Sequence, residues 1–399
     1  MPHLMFKYRL YPSKTQTKVM EEQLELCRLA HNRLLDYCKQ QYKEKGKTPS
    51  QFDLNNHLIS IKQLRPEFSR IHSQVLQNIA KRIKDSYTNF YARRRIGLKA
   101  GLPRFKKPGR YKSITYPQFG FKIEGNKLNL SKIGNVRFRQ NREPPEQIKT
   151  LTVKRMPSGK WYVFFSCIVE SQPYEKPLED VGIDVGLNSY AVLSDGTRIK
   201  NPRFYRKEEK RLGLLQRGLS RKVRGSSNWV KAKTRVARLH EKIGNRRTDF
   251  LHKASRKIAD AYESVYVEDL RITYMVRNHC LAKSISDAGW GRFIGMIAYK
   301  AESAGGQLIR VNPRNTTQEC FRCRQQVKKT LSERIHVCPH CGLVMSRDHN
   351  AALNILARGR GIGQELPKFR SVEDKASSQP QLVEQAYPAK QEASLLVGR

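Results

Sequence analysis

Apolar positions along the chain change period three times, and each change marks a new kind of element. Residues 3–10 alternate apolar and basic side chains, as a short strand does. Pro12-Ser13-Lys14-Thr15-Gln16 follows with a Ser-x-x-Gln capping box. Helical spacing then begins, with a stripe at Val19, Gln23/Leu24, Cys27, His31, Leu34 and Cys38. A second helix is expected after Ser50 or Asp53. A third, from about Ser73, carries Val75, Ile79, Ile83, Tyr87 and Phe90/Tyr91 on one face and cations on the other. His31 and His57 read as packed or surface histidines rather than ligands.

At Gly97 the helical pattern stops in a basic, Gly- and Pro-punctuated loop. Strands are predicted at 112–116, 119–123, 127–130, 136–140, 148–155 and 161–169. With residues 3–10 they suit a small β-barrel or wedge. Beyond the Pro-Tyr-Glu-Lys-Pro linker, residues 181–187 form a buried-strand pattern with Asp184 in its middle. An Asp195-Gly196 turn closes a hairpin behind it. Residues 203–257 read as a helical hairpin bent near Gly225. Strands follow at 264–270, ending in Glu268 and Asp269, and at 306–311, with a helix over 290–303 between them. The polar stretch 271–287 reads as a lid. Asp348 opens an amphipathic helix through Ile355. Beyond Gly359 the composition suits a disordered tail.

Charge sharpens the picture. The 399 residues carry 77 Lys and Arg against 35 Asp and Glu, a formal charge of +42. A surplus of that size calls for a polyanion. The plainest reading of such a chain is a ribosomal or chromatin-type protein or a membrane-surface binder. The surplus is densest at 203–257, where 19 cations face 4 acids. No apolar run reaches the length of a membrane span, and the N-terminus lacks the apolar core of a signal peptide. Four of the eight cysteines are scattered, which suits a reducing cytoplasm better than a disulfide framework.

The other four carry chemistry. Cys320, Cys323, Cys338 and Cys341 form two Cys-x-x-Cys pairs with 14 residues between them, the spacing of a closed, structural Zn²⁺ ribbon. His336 and His340 lie beside it as spectators. Asp184, Glu268 and Asp348 come from a strand, a strand end and a helix start. Alone, each could be a cap or a turn residue. Together they suit two-metal phosphodiester hydrolysis, which needs ionised oxygen ligands for Mg²⁺. No phosphate-binding Gly-rich loop and no paired Ser or Cys nucleophile offers another route.

The motifs Gly-Ile-Asp-Val-Gly-Leu (182–187), Val-Glu-Asp-Leu (267–270), Ser-Ile-Ser-Asp-Ala-Gly-Trp (284–290), Cys-x-x-Cys…Cys-Pro-x-Cys-Gly and Arg-Asp-His-Asn-Ala-Ala-Leu-Asn-Ile (347–355) resemble TnpB. TnpB is the transposon-encoded ancestor of type V CRISPR effectors. Tyr-Arg-Leu-Tyr-Pro (8–12) and Gly-Leu-Pro-Arg-Phe-Lys (101–106) extend the resemblance over about residues 3–358.

The resemblance implies a multidomain α+β fold. A wedge-like β-barrel (1–11 and 103–173) holds an inserted helical recognition domain (12–102). An RNase H-like (RuvC) nuclease domain (178–313 and 347–360) carries an inserted zinc ribbon (314–346), and 361–399 form the tail. It further implies an RNA-guided DNA endonuclease of the prokaryotic cytoplasm, associated with the nucleoid through DNA and monomeric with its RNA. Asp184, Glu268 and Asp348 would be its acids, holding Mg²⁺ or Mn²⁺, with one structural Zn²⁺. Its partners would be a guide RNA from the transposon end and double-stranded target DNA beside a short transposon-associated motif. Candidate nucleic-acid contacts are Gln74, Gln77, Asn78, Arg104, Lys106, Lys107, Arg221, Lys222, Arg246 and Arg247. A strand-transferring transposase, or an RNA-guided repressor or accessory protein without cleavage, are the rival readings. Two positions depart from the pattern: Arg324 stands where the family commonly has Gly, and Ser346 where it has Asp.

Overall fold

The computed structural model describes residues 3–144, 147–168, 179–330 and 332–361. The linker at 173–177 and nearly all of the expected tail lie outside them. The chain divides into two compact units that part near residue 169.

The first unit opens with β1 (His3–Tyr11) and then runs through three helices, α1 (Lys14–Lys45), α2 (Gln51–Leu64) and α3 (Ser73–Arg95). Six strands follow: β2 (Ser113–Tyr116), β3 (Phe121–Glu124), β4 (Lys127–Leu130), β5 (Gly134–Arg139), β6 (Ile148–Arg155) and β7 (Trp161–Ile168). They join β1 in an antiparallel sheet, order β2-β6-β7-β1-β5-β4-β3, curled into a nearly closed barrel.

The predicted cap forms as expected. Ser13 Oγ accepts from the Gln16 N–H, and Gln16 Oε1 accepts from the Ser13 N–H. At α2 both proposed starters serve, Ser50 as N-cap and Asp53 as its reciprocal partner. Helices and sheet share one core. Tyr8 and Leu10 from β1, Leu34 from α1, Ile79 from α3 and Phe165 from β7 all lie in it. His31 is buried and pushed down to about 4 by that burial, so it is neutral. His57 stacks on Tyr37.

The second unit is a five-stranded sheet with helices on both faces. Its elements are β8 (Asp180–Val185), β9 (Ser189–Leu193), β10 (Arg198–Lys200), α4 (Phe204–Ser220), α5 (Ser227–Ala261), β11 (Ser264–Glu268), α6 (Ile272–Met275), α7 (His279–Ala288), α8 (Trp290–Ser303), β12 (Gln307–Val311), β13 (Ile335–Val337), β14 (Val344–Ser346) and α9 (Arg347–Gly359). Strand order is β10-β9-β8-β11-β12, with β8, β11 and β12 parallel and β9 and β10 antiparallel.

α5 and α8 pack one face, where Val181, Ile183 and Val267 meet Leu251, Ile258, Phe293 and Ile297. α9 covers the other. Lys300 of α8 is buried against α5, with Nζ donating to His252 O at 2.7 Å and to Ser255 Oγ at 2.8 Å.

Most of the stretch 271–287, expected from its polarity to be a lid, is helical. Its polar composition hides an amphipathic α7 that buries Ile285 and Ala288 and ends at Gly289, φ 68°. Asp287 is buried there. Its carboxylate accepts from Arg247 Nη2 and from the Tyr205 N–H, both at 2.9 Å.

Candidate active site and metal centre

Two glycines decide where α9 sits. Alternation along β8 places Gly182 and Asp184 on one face, away from Val181 and Ile183. A Cβ on Gly182 would overlap Ala352 O and lie 2.6 Å from Leu356 N, so the backbone of α9 rests directly on the strand. At the far end a Cβ on Gly359 would overlap the Tyr266 ring. Tyr266 pairs with Gly182, and Val267 with Ile183. The next step in register sets Glu268 beside Asp184 at the C-terminal ends of parallel strands, where ligand sites of open α/β sheets form. Ala352 lies over Gly182, and Asp348 stands one helical turn before it, over Asp184. The three acids therefore share one face of the sheet.

Their electrostatics bear this out. Burial raises the Asp184 carboxyl well above its ordinary value, and the charges of Glu268 and Asp348 raise it further, against a smaller lowering by Arg347. Burial also raises Glu268, offset by a hydrogen bond from Thr316 Oγ1 at 2.5 Å and by the charge of Arg358. Asp348 is paired with Arg347 at 3.4 Å. Asp269 points elsewhere, to Arg310 at 3.1 Å. Carboxylates that oppose each other's ionisation are a donor set suited to a dication.

Cys320, Cys323, Cys338 and Cys341 gather all four sulfurs within 4.8 Å. Cys320 and Cys341 Sγ stand 3.6 Å apart, Cys323 and Cys338 Sγ 3.5 Å. A tetrahedron with Zn–S bonds of about 2.3 Å has edges of about 3.8 Å, so the cage fits Zn²⁺. His336 is fully buried and its Nδ1 meets Lys329 Nζ, outside the ligand set.

The ribbon is tied to α9 by residues the sequence reasoning passed over. Asn350 Oδ1 accepts from the Phe321 N–H at 2.9 Å, and Asn350 Nδ2 donates to Glu319 O at 2.7 Å. Asn354 Nδ2 reaches Thr316 O and Glu319 O at 2.9 and 2.7 Å. Arg358 Nη2 pairs with Glu319 at 2.6 Å. The i, i+4, i+8 spacing of these three polar residues on a helix was the available signal. Arg324 adopts φ 63°, the left-handed conformation in which Gly is unstrained, and its Nη1 donates to Asn354 Oδ1 at 3.2 Å.

The candidate nucleic-acid residues scatter. Arg104, Lys107, Arg221, Lys222 and Gln77 are exposed, and Asn78 is half-buried. Gln74 instead accepts from the Phe119 N–H at 2.9 Å. Lys106 lies over the Tyr111 ring at 4.7 Å, pushed down to about 8 by burial. Arg246 pairs with Glu208 at 3.3 Å. Arg247 Nη2 pairs with the buried carboxylate of Asp287 at 2.9 Å.

Family models match three stretches: "Probable transposase" at 164–279, "Cas12f1-like, TNB domain" at 290–355 and "Helix-turn-helix domain" at 1–47. The chain is 33% identical over 378 residues to "Putative RNA-guided DNA endonuclease InsQ" of Escherichia coli, covering 90% of this chain and 92% of that protein.

This chain belongs to the TnpB family.

A "Putative RNA-guided DNA endonuclease" of Streptomyces pristinaespiralis, 31% identical, spans 96% of this TnpB-family chain and 98% of its own length. The fold resembles that of Cas12f1 in a cryo-EM structure of a Cas12f1-sgRNA-target DNA complex, at TM-score 0.56 and 18% identity over 86% of this chain and 83% of that one. The transposase match includes Asp184 and Glu268. The TNB match includes all four cysteines and Asp348.

Proposed function

We propose that this chain is an RNA-guided DNA endonuclease that hydrolyses phosphodiesters at Asp184, Glu268 and Asp348. The observation carrying the reading is the convergence of three acids on one sheet face, in a chain whose full-length relatives are named for that activity. Those acids would hold Mg²⁺ or Mn²⁺, which when bound supplies charge for the scissile phosphate and a more acidic water. The chain's own part is placement. β8 and β11 fix two carboxylates side by side, and α9 brings the third. Thr316 orients Glu268, and Arg347 lies close enough to Asp348 to steady its carboxylate. Burial excludes bulk water and strengthens each of these interactions.

The four cysteines would hold Zn²⁺ as a closed structural site. The partners would be a guide RNA from the transposon end and double-stranded target DNA beside a transposon-associated motif, bound by one copy of the chain. Base pairing would then read the target while the cationic protein holds backbones. The proposed division assigns the barrel and helices to 1–173, the nuclease to 178–313 and 347–360, and the ribbon to 314–346.

The test is to purify the chain with its RNA and supply Mg²⁺ and duplexes bearing a randomised flank. Cleavage confined to duplexes matching the RNA is the expected result. Cleavage indifferent to the RNA sequence, or none beside any flank, contradicts it.

A further inference from the structure

On the face of the second unit opposite the acids, a cavity of about 700 Å³ opens between the β9–β10 hairpin and α5. Its walls are apolar. Phe204 and Phe250 stand 6.0 Å apart at 67°, with Ile199 and Ile258 completing the floor and the Tyr262 ring at one end. Tyr262 is fixed by its hydroxyl, which donates to Asp195 at 2.5 Å. Phe250 is braced edge-on against Tyr190 at 4.9 Å.

The rim is cationic. Arg198, Lys207, Arg246, Lys253 and Lys257 border it against one carboxylate, Asp249, which is already paired with Lys253 at 2.9 Å. Lys207 and Lys257 are exposed and, among the described residues, hold no ion pair. An apolar slot with braced rings inside and free cations at its mouth matches a nucleotide, whose base has an apolar face and whose phosphates are anionic.

We infer that this cavity receives an unpaired nucleotide of the guide RNA, its base against Phe204 and Phe250 and its phosphates at Lys207 and Lys257. RNA rather than the cleaved strand follows from the sheet. Phe250, Ala254 and Ile258 project from α5, the helix packed on Val181 and Ile183, whereas Asp184 faces α9. A strand held at the acids therefore lies on the other side of the sheet. The inference rests on the RNA-guided reading above.

The test uses the full chain purified with its RNA, irradiated with ultraviolet light and mapped by mass spectrometry, before and after matched DNA is added. The wild type is expected to carry a ribonucleotide adduct on the peptide containing Phe250. Ala254→Trp fills the slot without altering charge, and should lower that adduct about tenfold while RNA still co-purifies. Lys207→Glu with Lys257→Glu, both on the surface, should lower it as well, with thermal melting unchanged. An RNA-loaded chain with adducts elsewhere but none there overturns the inference. So does a deoxyribonucleotide adduct at that peptide, or an adduct indifferent to both variants. A chain that carries no RNA overturns the RNA-guided reading itself, and the cavity assignment with it.

Discussion

Asp184 is costly to the fold in the absence of a cation. In the folded chain its carboxyl titrates above the ordinary aspartate range, so the folded state keeps a proton that the unfolded chain has released. The fold without metal should therefore lose stability as pH rises from the ordinary aspartate range toward that raised value. Asp184→Asn removes the penalty and should melt a few degrees higher than wild type at neutral pH without metal. Adding Mg²⁺ should raise the melting temperature of wild type and leave the variant unmoved, and calorimetry with and without Mg²⁺ checks both. Arg324 makes a second residue-scale case. Arg324→Gly loses the bond to Asn354 but relieves the positive φ, so its stability should stay within about 1 kcal/mol of wild type. Arg324→Ala keeps the strain and loses the bond, and should cost about 1–2 kcal/mol in chemical denaturation. Neither position's geometry was visible in the sequence; the resemblance marked Arg324 only as a departure from the family's common Gly.

At the scale of elements, α9 is where the site and the ribbon meet. One face lies on β8 at Gly182 and on β11 where Gly359 meets Tyr266, while Asn350, Asn354 and Arg358 grip the base of the ribbon. Gly182→Ala must push α9 off the strand. A loss of about 2–4 kcal/mol is expected, with cleavage falling further than RNA binding because Asp348 moves away from Asp184. Denaturant melts and paired binding and cleavage assays on one preparation separate the two effects. Most elements were legible in the chain's periodicity. β4 and β6 have the expected bounds, and the cap at Ser13 and the cysteine cage follow from local spacing alone. The segment 271–287 was not, because a short amphipathic helix among polar residues has too few apolar positions to set a period. The partner of Arg247 was hidden for a related reason. A cation in a basic run looks like its neighbours until a partner 40 residues away, Asp287, is folded against it.

For the whole molecule, the charge of +42 and the buried acids are complementary features rather than separate ones. A bound polyanion would offset the surplus, and the acids form a local negative site suited to dications. The sequence indicated the three acids only as a set, since 164 and 80 residues separate Asp348 from Asp184 and Glu268. The parallel register of β8 and β11 and the seat of α9 bring that set to one sheet face. The most direct measurement compares single-turnover cleavage of matched duplex by RNA-loaded wild type, Asp184→Asn, Glu268→Gln and Asp348→Asn in Mg²⁺, with RNA and DNA binding measured on the same samples. A three-acid site requires that each variant binds as wild type does and cleaves at least about a thousandfold more slowly. Undiminished cleavage by any one of the three would contradict it.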